Sequence, residues 1–251
     1  MGEKIFIQDM TAPELRQRTS QAAAVILPLG SVEVLGHHGP TGLDNFVAEA
    51  IAQPIARKTN CLVAPTIPYG DTMEFGDLPG TVHVPASVLE AYIYAVASSL
   101  FRTTGCNAIV FLAAHSLNCH AAAAVCRRLT MEGKKVLLAD WWPAVGSVCG
   151  DLLKDTVTGR GHGSELITSV AMALRPELLD MQAACPEPES PALHEVNRWS
   201  GSAFKTFGTF AQYCTTGAWG RMDLATAQKG EEALSRGIDA VAAFITEALS
   251  H

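Results

Sequence analysis

Three short polar stretches carry the side chains best suited to chemistry. The first is Gly30-Ser31-Val32-Glu33-Val34-Leu35-Gly36-His37-His38-Gly39-Pro40-Thr41-Gly42-Leu43-Asp44. The second is Ala114-His115-Ser116-Leu117-Asn118-Cys119-His120, and the third is Gly159-Arg160-Gly161-His162-Gly163-Ser164-Glu165. Zinc and manganese favour carboxylate and imidazole donors. Glu33, Asp44 and His115 supply that set, and the glycines between Glu33 and Asp44 let the backbone coil tightly. A divalent cation in such a site brings the pKa of a coordinated water towards neutrality. His162 is then suited to carry a proton to a leaving nitrogen.

Each residue also has a plainer reading. Asp44 precedes a helical pattern and fits an N-cap. His115 fits a satisfied core histidine. His162 and Glu165 fit a helix start, where the dipole favours an acid. Glu33 follows a buried apolar run directly, where an unpaired carboxylate is costly, so it needs a metal or an arginine. His120 reads as structural, His83 receives no role, and His194 and His251 read as surface residues. Trp141, Trp142 and Trp219 fit either a pocket lining or core packing.

The positions of these stretches follow from the elements around them. Ala23 to Leu29 (AAVILPL), Cys61 to Ile67, Asn107 to Ala113 (NAIVFLA) and Lys135 to Asp140 (KVLLAD) read as strands, the first and third as runs buried on both faces. Helical periodicity covers Asn45 to Lys58, Cys119 to Glu132, Gly163 to Leu174 and Leu224 to Leu249, the last weakened by Gly237. Thr11-Ala-Pro-Glu14 and Ser87-Val-Leu-Glu90 look like capping boxes, the second opening a helix to about Thr103. Alternating strands and helices predict an α/β chain with a mostly parallel sheet covered on both faces. In such sheets, sites lie past the carboxyl ends of strands, where the first two polar stretches fall. Residues 181–222 are irregular and proline-rich, which suggests a functional loop or an arm on a neighbouring subunit.

The 251 residues suffice for one large core, and no linker divides them, so a single domain over 1–251 is expected. The net charge of -7 comes from scattered acids, and no basic patch points to nucleic acid. No apolar stretch reaches membrane-spanning length, and Met1 to Asp9 has no apolar signal core. The seven cysteines are odd in number and form no Cys-x-x-Cys pair, so they read as thiols in a reducing cytoplasm.

These motifs resemble the creatininase family along nearly the whole chain. Pro28-Leu-Gly-Ser-Val-Glu33, closed by Asp44, is similar to the family's P-[VL]-G-S-x-E-Q-H-G-x-H block. Pro68-Tyr-Gly70 and Leu78-Pro-Gly-Thr81 match its P-Y-G and F-P-G-T turns. Ala114-His115-Ser-Leu-Asn118 resembles N-G-H-x-x-N, and His162-Gly-Ser-Glu165-Leu-Ile-Thr-Ser169 resembles H-A-G-E-L-E-T-S. Gly217-Ala-Trp-Gly220 and Leu224-Ala-Thr-Ala-Gln-Lys-Gly230 resemble G-x-W-G and L-A-T-A-x-K-G.

The resemblance implies a layered α/β/α fold, commonly a homohexamer, that hydrolyses cyclic or formyl amides with one or two divalent metals, zinc or manganese. It implies Glu33, Asp44 and His115 as ligands of a first metal, with Asp44 bridging and Glu165 holding a second. The chain departs from the pattern at Leu35, where the family has the histidine of E-Q-H, and at Leu117, where creatininase itself has a glutamate. One firmly bound metal and a weak or absent second are therefore expected, with a small-molecule substrate other than creatinine. His162 or Glu165 is expected to act as base, and Glu74, His37, His38 and Trp219 to contact substrate. Two other readings stand beside this one: hydrolysis of a carbon-carbon or lactone bond in a keto-sugar or keto-inositol, and a non-catalytic relative that binds a small molecule.

Overall fold

The computed structural model describes residues 4–76, 78–187, 209–212 and 214–250. Four strands run parallel: β1 (Val25–Leu29), β2 (Leu62–Val63), β3 (Ala108–Ala113) and β4 (Lys135–Asp140), in the order β2-β1-β3-β4. β1 lies centrally, paired with β3 from Val25↔Ile109 to Leu29↔Ala113. β1 and β3 are buried along their whole length, as their unbroken apolar runs require in a sheet covered on both faces.

Helices α1 (Ala12–Thr19), α2 (Leu43–Thr59), α3 (Ala86–Thr104), α4 (Asn118–Met131), α5 (Trp141–Val148), α6 (Glu165–Leu174) and α7 (Ala227–Ser250) follow in chain order. Strand side chains alternate between faces, and the core divides accordingly. Ile26, Val110 and Leu112 pack with Ile51 of α2, Val145 of α5, Val170 of α6 and Ile245 of α7. Val25, Leu27, Ile109 and Phe111 pack with Leu89 and Ile93 of α3 and Val125 of α4. The result is the α/β/α layering expected from the sequence. No helix among the described residues is long and apolar enough to cross a membrane.

Several boundaries differ from the sequence reading. The strand expected from Cys61 to Ile67 shortens to Leu62–Val63, because Pro65 has no N–H to donate to a ladder. The capping box at Thr11 forms, with Glu14 accepting from Thr11 N at 2.7 Å. The one proposed at Ser87 does not: Pro85 caps α3 from an extended conformation, which puts Ser87 inside the helix. Gly163, at φ +68°, cannot belong to α6, which starts at Glu165. α5 was absent from the sequence reading and begins directly after β4. Leu224 lies in a short 3-10 turn, and α7 begins later, where Lys229 N donates to Thr226 Oγ1 at 3.3 Å.

Gly237 has a packing reason that periodicity does not show. A β-carbon there would lie 2.5 Å from Cη2 of Trp141. The glycine lets α7 close on the fully buried indole of α5, which offsets its poor helix propensity. Most of residues 181–222 lies outside the described residues. Its far end returns Phe210 and Trp219 to the body of the protein, where they pack with ring centroids 4.8 Å apart.

Candidate metal centre and substrate cavity

The parallel pairing of β1 and β3 decides the geometry. Their carboxyl ends lie side by side, so the loops leaving Leu29 and Ala113 emerge at one edge. The first loop delivers Glu33 and then Asp44 in the opening turn of α2, and the second delivers His115. Donor atoms of these three buried side chains all lie within 4.8 Å of one another, the one such cluster among the described residues. Asp44 is not an N-cap: Gly42 holds that position, and no side-chain cap bond forms.

The hydrogen bonds orient every member of the cluster. His115 Nε2 lies 2.7 Å from the carbonyl oxygen of Asp71. A carbonyl only accepts, so Nε2 carries the proton and Nδ1 faces the carboxylates. Nδ1 stands 2.9 Å from Glu33 Oε2 and 3.2 Å from Asp44 Oδ2. Ser31 donates to that Asp44 oxygen at 2.9 Å. Asn118 accepts from Asp71 N at 3.0 Å and donates to Gly30 O at 2.9 Å, tying the three loops together.

The electrostatics demand positive charge at the point where the three donors meet. Burial disfavours a charged imidazole, yet the Glu33 and Asp44 carboxylates hold the His115 pKa well above its ordinary value. Burial and the charge of Glu33 push Asp44 up. Glu33 is held below its usual range: burial opposes this most strongly, but the charge and hydrogen bond of His115, with the charge of His162 and a hydrogen bond from Ser31, together outweigh it. Glu33 Oε2 is buried without a hydrogen-bond partner. Two carboxylates, one imidazole nitrogen and that orphaned oxygen fit a divalent ion such as zinc or manganese.

The cluster opens on a cavity of about 200 Å³, the volume of roughly seven waters. His162 reaches it from the segment before α6. Its Nε2 donates to Val34 O at 2.8 Å, which leaves Nδ1 facing Glu33 Oε1 at 3.7 Å. Glu74 lines the cavity from a 3-10 turn, and burial raises its carboxyl pKa. Trp219 lines it as well, and His162, Phe75, Phe210 and Trp219 form a cluster of tilted rings in mutual contact.

Three assignments need correction. Glu165 lies outside the cluster. Its fully buried carboxylate accepts from the backbone N–H groups of Lys154 at 3.0 Å and Asp155 at 2.8 Å, and it ion-pairs with Lys229. These partners occupy both oxygens, so Glu165 positions the loop before His162 instead of holding a metal or a proton. His37 and His38 do not line the cavity. The Leu35–Gly39 turn, with Gly36 at φ +60°, points His37 to solvent and buries His38 against α6, where Nε2 pairs with Thr168 Oγ1 at 2.9 Å.

Sequence reasoning also missed residues. Phe75, Phe210, Arg160 and Ile167 line the cavity. Ile167 carried a signal: it stands where the H-A-G-E-L-E-T-S pattern has its second glutamate. Leu35 and Leu117, already noted as departures, line the same space, so three positions that are polar in the pattern form an apolar wall.

A sequence profile of the Creatininase family, described as creatinine amidohydrolase, matches residues 8–245. This chain belongs to the creatininase family. Among curated relatives of this creatininase-family chain, the 3-dehydro-scyllo-inosose hydrolase of Thermotoga maritima is 27% identical, over 94% of this chain and 80% of that protein. The mycofactocin precursor peptide peptidase of Mycobacterium ulcerans is 28% identical over 80% of each. The creatinine amidohydrolase of Pseudomonas putida is 24% identical over 75% of this chain and 78% of that one. All three names denote hydrolases, which removes the non-catalytic reading. In fold, a crystal structure of creatinine amidohydrolase superposes with TM-score 0.81 over 98% of both chains at 23% identity. A manganese creatininase structure gives the same score.

Proposed function

We propose that this creatininase-family enzyme hydrolyses the C–N bond of a small cyclic amide, using zinc or manganese held by Glu33, Asp44 and His115. One observation carries the reading: the three donors, His162 and Glu74 line a single cavity together with apolar side chains. A bound cation supplies Lewis acidity there, polarising a carbonyl and acidifying water. His162 is fixed in one tautomer by Val34, so Nδ1 is free to accept a proton and return it to the leaving nitrogen. Glu74 has a raised pKa and suits a hydrogen bond to the substrate amide. Phe75, Phe210 and Trp219 exclude water and orient a ring. The apolar side chains at 35, 117 and 167 support one firmly bound metal rather than two.

Hydrolysis of a carbon-carbon or lactone bond in a keto-inositol is the second reading, favoured by the Thermotoga relative's match along most of this chain. The lining counts against it. Leu35, Leu117 and Ile167 offer no partners to the hydroxyls of a polyol, and each hydroxyl buried unpaired costs about 1–3 kcal/mol. A screen of cyclic amides against keto-cyclitols, with and without a chelator, separates the two. Chelator-sensitive turnover of an amide supports the first reading; turnover of keto-cyclitols alone overturns it.

The cysteines of the described residues are all free thiols, in keeping with a cytoplasmic setting. A homohexameric assembly rests on the family resemblance and is tested by light scattering.

A further inference from the structure

We propose that Arg160 is a specificity-determining residue of this site, an anchor that selects substrates carrying a carboxylate or similar single negative charge on an apolar body. The proposal deepens the hydrolase reading and rests on it for the cavity's use. Arg160 stands in the segment that delivers His162, and it is the one lysine or arginine among the described residues lining the cavity. Arg175, Arg221 and Arg236 each pair with a carboxylate. The described residues give Arg160 no such partner, so its five N–H donors are open to a ligand.

The side chain lies on a shelf made for it. A β-carbon at Gly146 would meet Arg160 Cδ at 3.4 Å, and one at Gly150 would meet Nη2 at 2.8 Å. Gly150, in the 3-10 turn after α5, thus leaves room for the guanidinium, while the stem lies within ordinary contact of Gly146 on α5. Beside it, Ser116 and Trp142 border both the main cavity and a shallow depression that Arg160 shares. An anionic group can therefore rest against Arg160 while the rest of the molecule enters the cavity.

Charge balance favours the same occupant. A divalent ion would neutralise Glu33 and Asp44, so the lining would carry no net charge that excludes an anion, and Arg160 is the one cationic side chain there to hold it. The chain as a whole is negative, at -7, so attraction of an anion must come from a local group. A guanidinium fork binds a carboxylate with two parallel hydrogen bonds, and the apolar side chains of the same lining suit a hydrocarbon or aromatic body.

The test compares two isosteric probes by calorimetry on the metal-loaded protein: benzenesulfonate, which is anionic and a poor metal ligand, and methyl phenyl sulfone, which is neutral. The wild type is expected to bind the sulfonate about tenfold or more tightly than the sulfone. Arg160→Gln should erase that preference by weakening the sulfonate far more than the sulfone, and Gly150→Ala, which crowds Nη2, should reduce it. Neither probe contains a hydrolysable amide, so the outcome on the metal-loaded protein does not depend on hydrolysis. No preference in the wild type, an undiminished preference in Arg160→Gln, or no binding of either probe would overturn the assignment.

Discussion

Nδ1 of His115 lies 2.9 Å from Oε2 of Glu33, with both side chains buried and the ring's other nitrogen committed to the Asp71 carbonyl. A nitrogen lone pair and a carboxylate repel at this distance unless a proton or a cation stands between them. The arrangement is thus a receptor for positive charge assembled from two adjacent strand ends. His115→Ala and Glu33→Gln each remove one donor. Each is expected to reduce bound zinc or manganese to well below one per chain by elemental analysis, and to lower turnover at least a hundredfold. Full metal content in both variants would show that the ion binds elsewhere.

His162 has a different role and should give a different signature. Its Nδ1 stands 3.7 Å from Glu33 Oε1, outside the tight cluster, and its orientation is set by Val34 O. His162→Ala should leave metal content unchanged and lower kcat by about 10²–10⁴, the usual worth of a positioned general base. A variant that loses metal in parallel with activity would make His162 a ligand.

Glu165 and Lys229 form an ion pair whose acid is fully buried and whose base is 15% exposed. Lys229 also donates to Leu224 O at 2.8 Å, so the pair joins α7 to the start of α6. Lys229→Met strands a buried carboxylate and should cost about 3–5 kcal/mol in urea unfolding. The double change Lys229→Met with Glu165→Gln should cost less than the single one, because no charge is left unpaired. Equal losses would mean that the charge itself is not what the fold depends on.

His38 ties stability to pH. Burial, together with the charge of His162, lowers its pKa from 6.5 to about 4. The unfolded chain takes up this proton first as pH falls. The stabilisation is therefore complete above pH 6.5, declines below it and is exhausted near pH 4, amounting to about 3 kcal/mol in all. His38→Asn should flatten the urea midpoint over that window relative to wild type. An unchanged slope would place the acid sensitivity in another group.

The sequence disclosed what periodicity and position encode. The buried runs at β1 and β3 gave the sheet, and the rule that sites lie past strand ends led to Glu33, Asp44 and His115. What stayed hidden depends on direction. The family pattern implies Glu165 as a ligand, but the first residue of α6 points inward, to Lys229. His37 and His38 follow a turn whose rotation is fixed by one positive φ at Gly36, which spacing does not reveal. α5 begins without a linker after Asp140, so the strand pattern ran into it unmarked. Phe210 reaches the cavity through tertiary packing alone, and Arg160, though inside the third polar stretch, is turned into it by packing that no local pattern announces.

The central claim is that Glu33, Asp44 and His115 together hold one catalytic divalent ion. Its most direct test is metal titration of chelator-stripped protein, with hydrolysis of a responsive cyclic amide followed in the same samples. The account predicts that activity returns in proportion to zinc or manganese, saturates at about one ion per chain, and does not return in Asp44→Asn. Full hydrolysis by the stripped protein, or full rescue of Asp44→Asn at the same ion concentration, would contradict it.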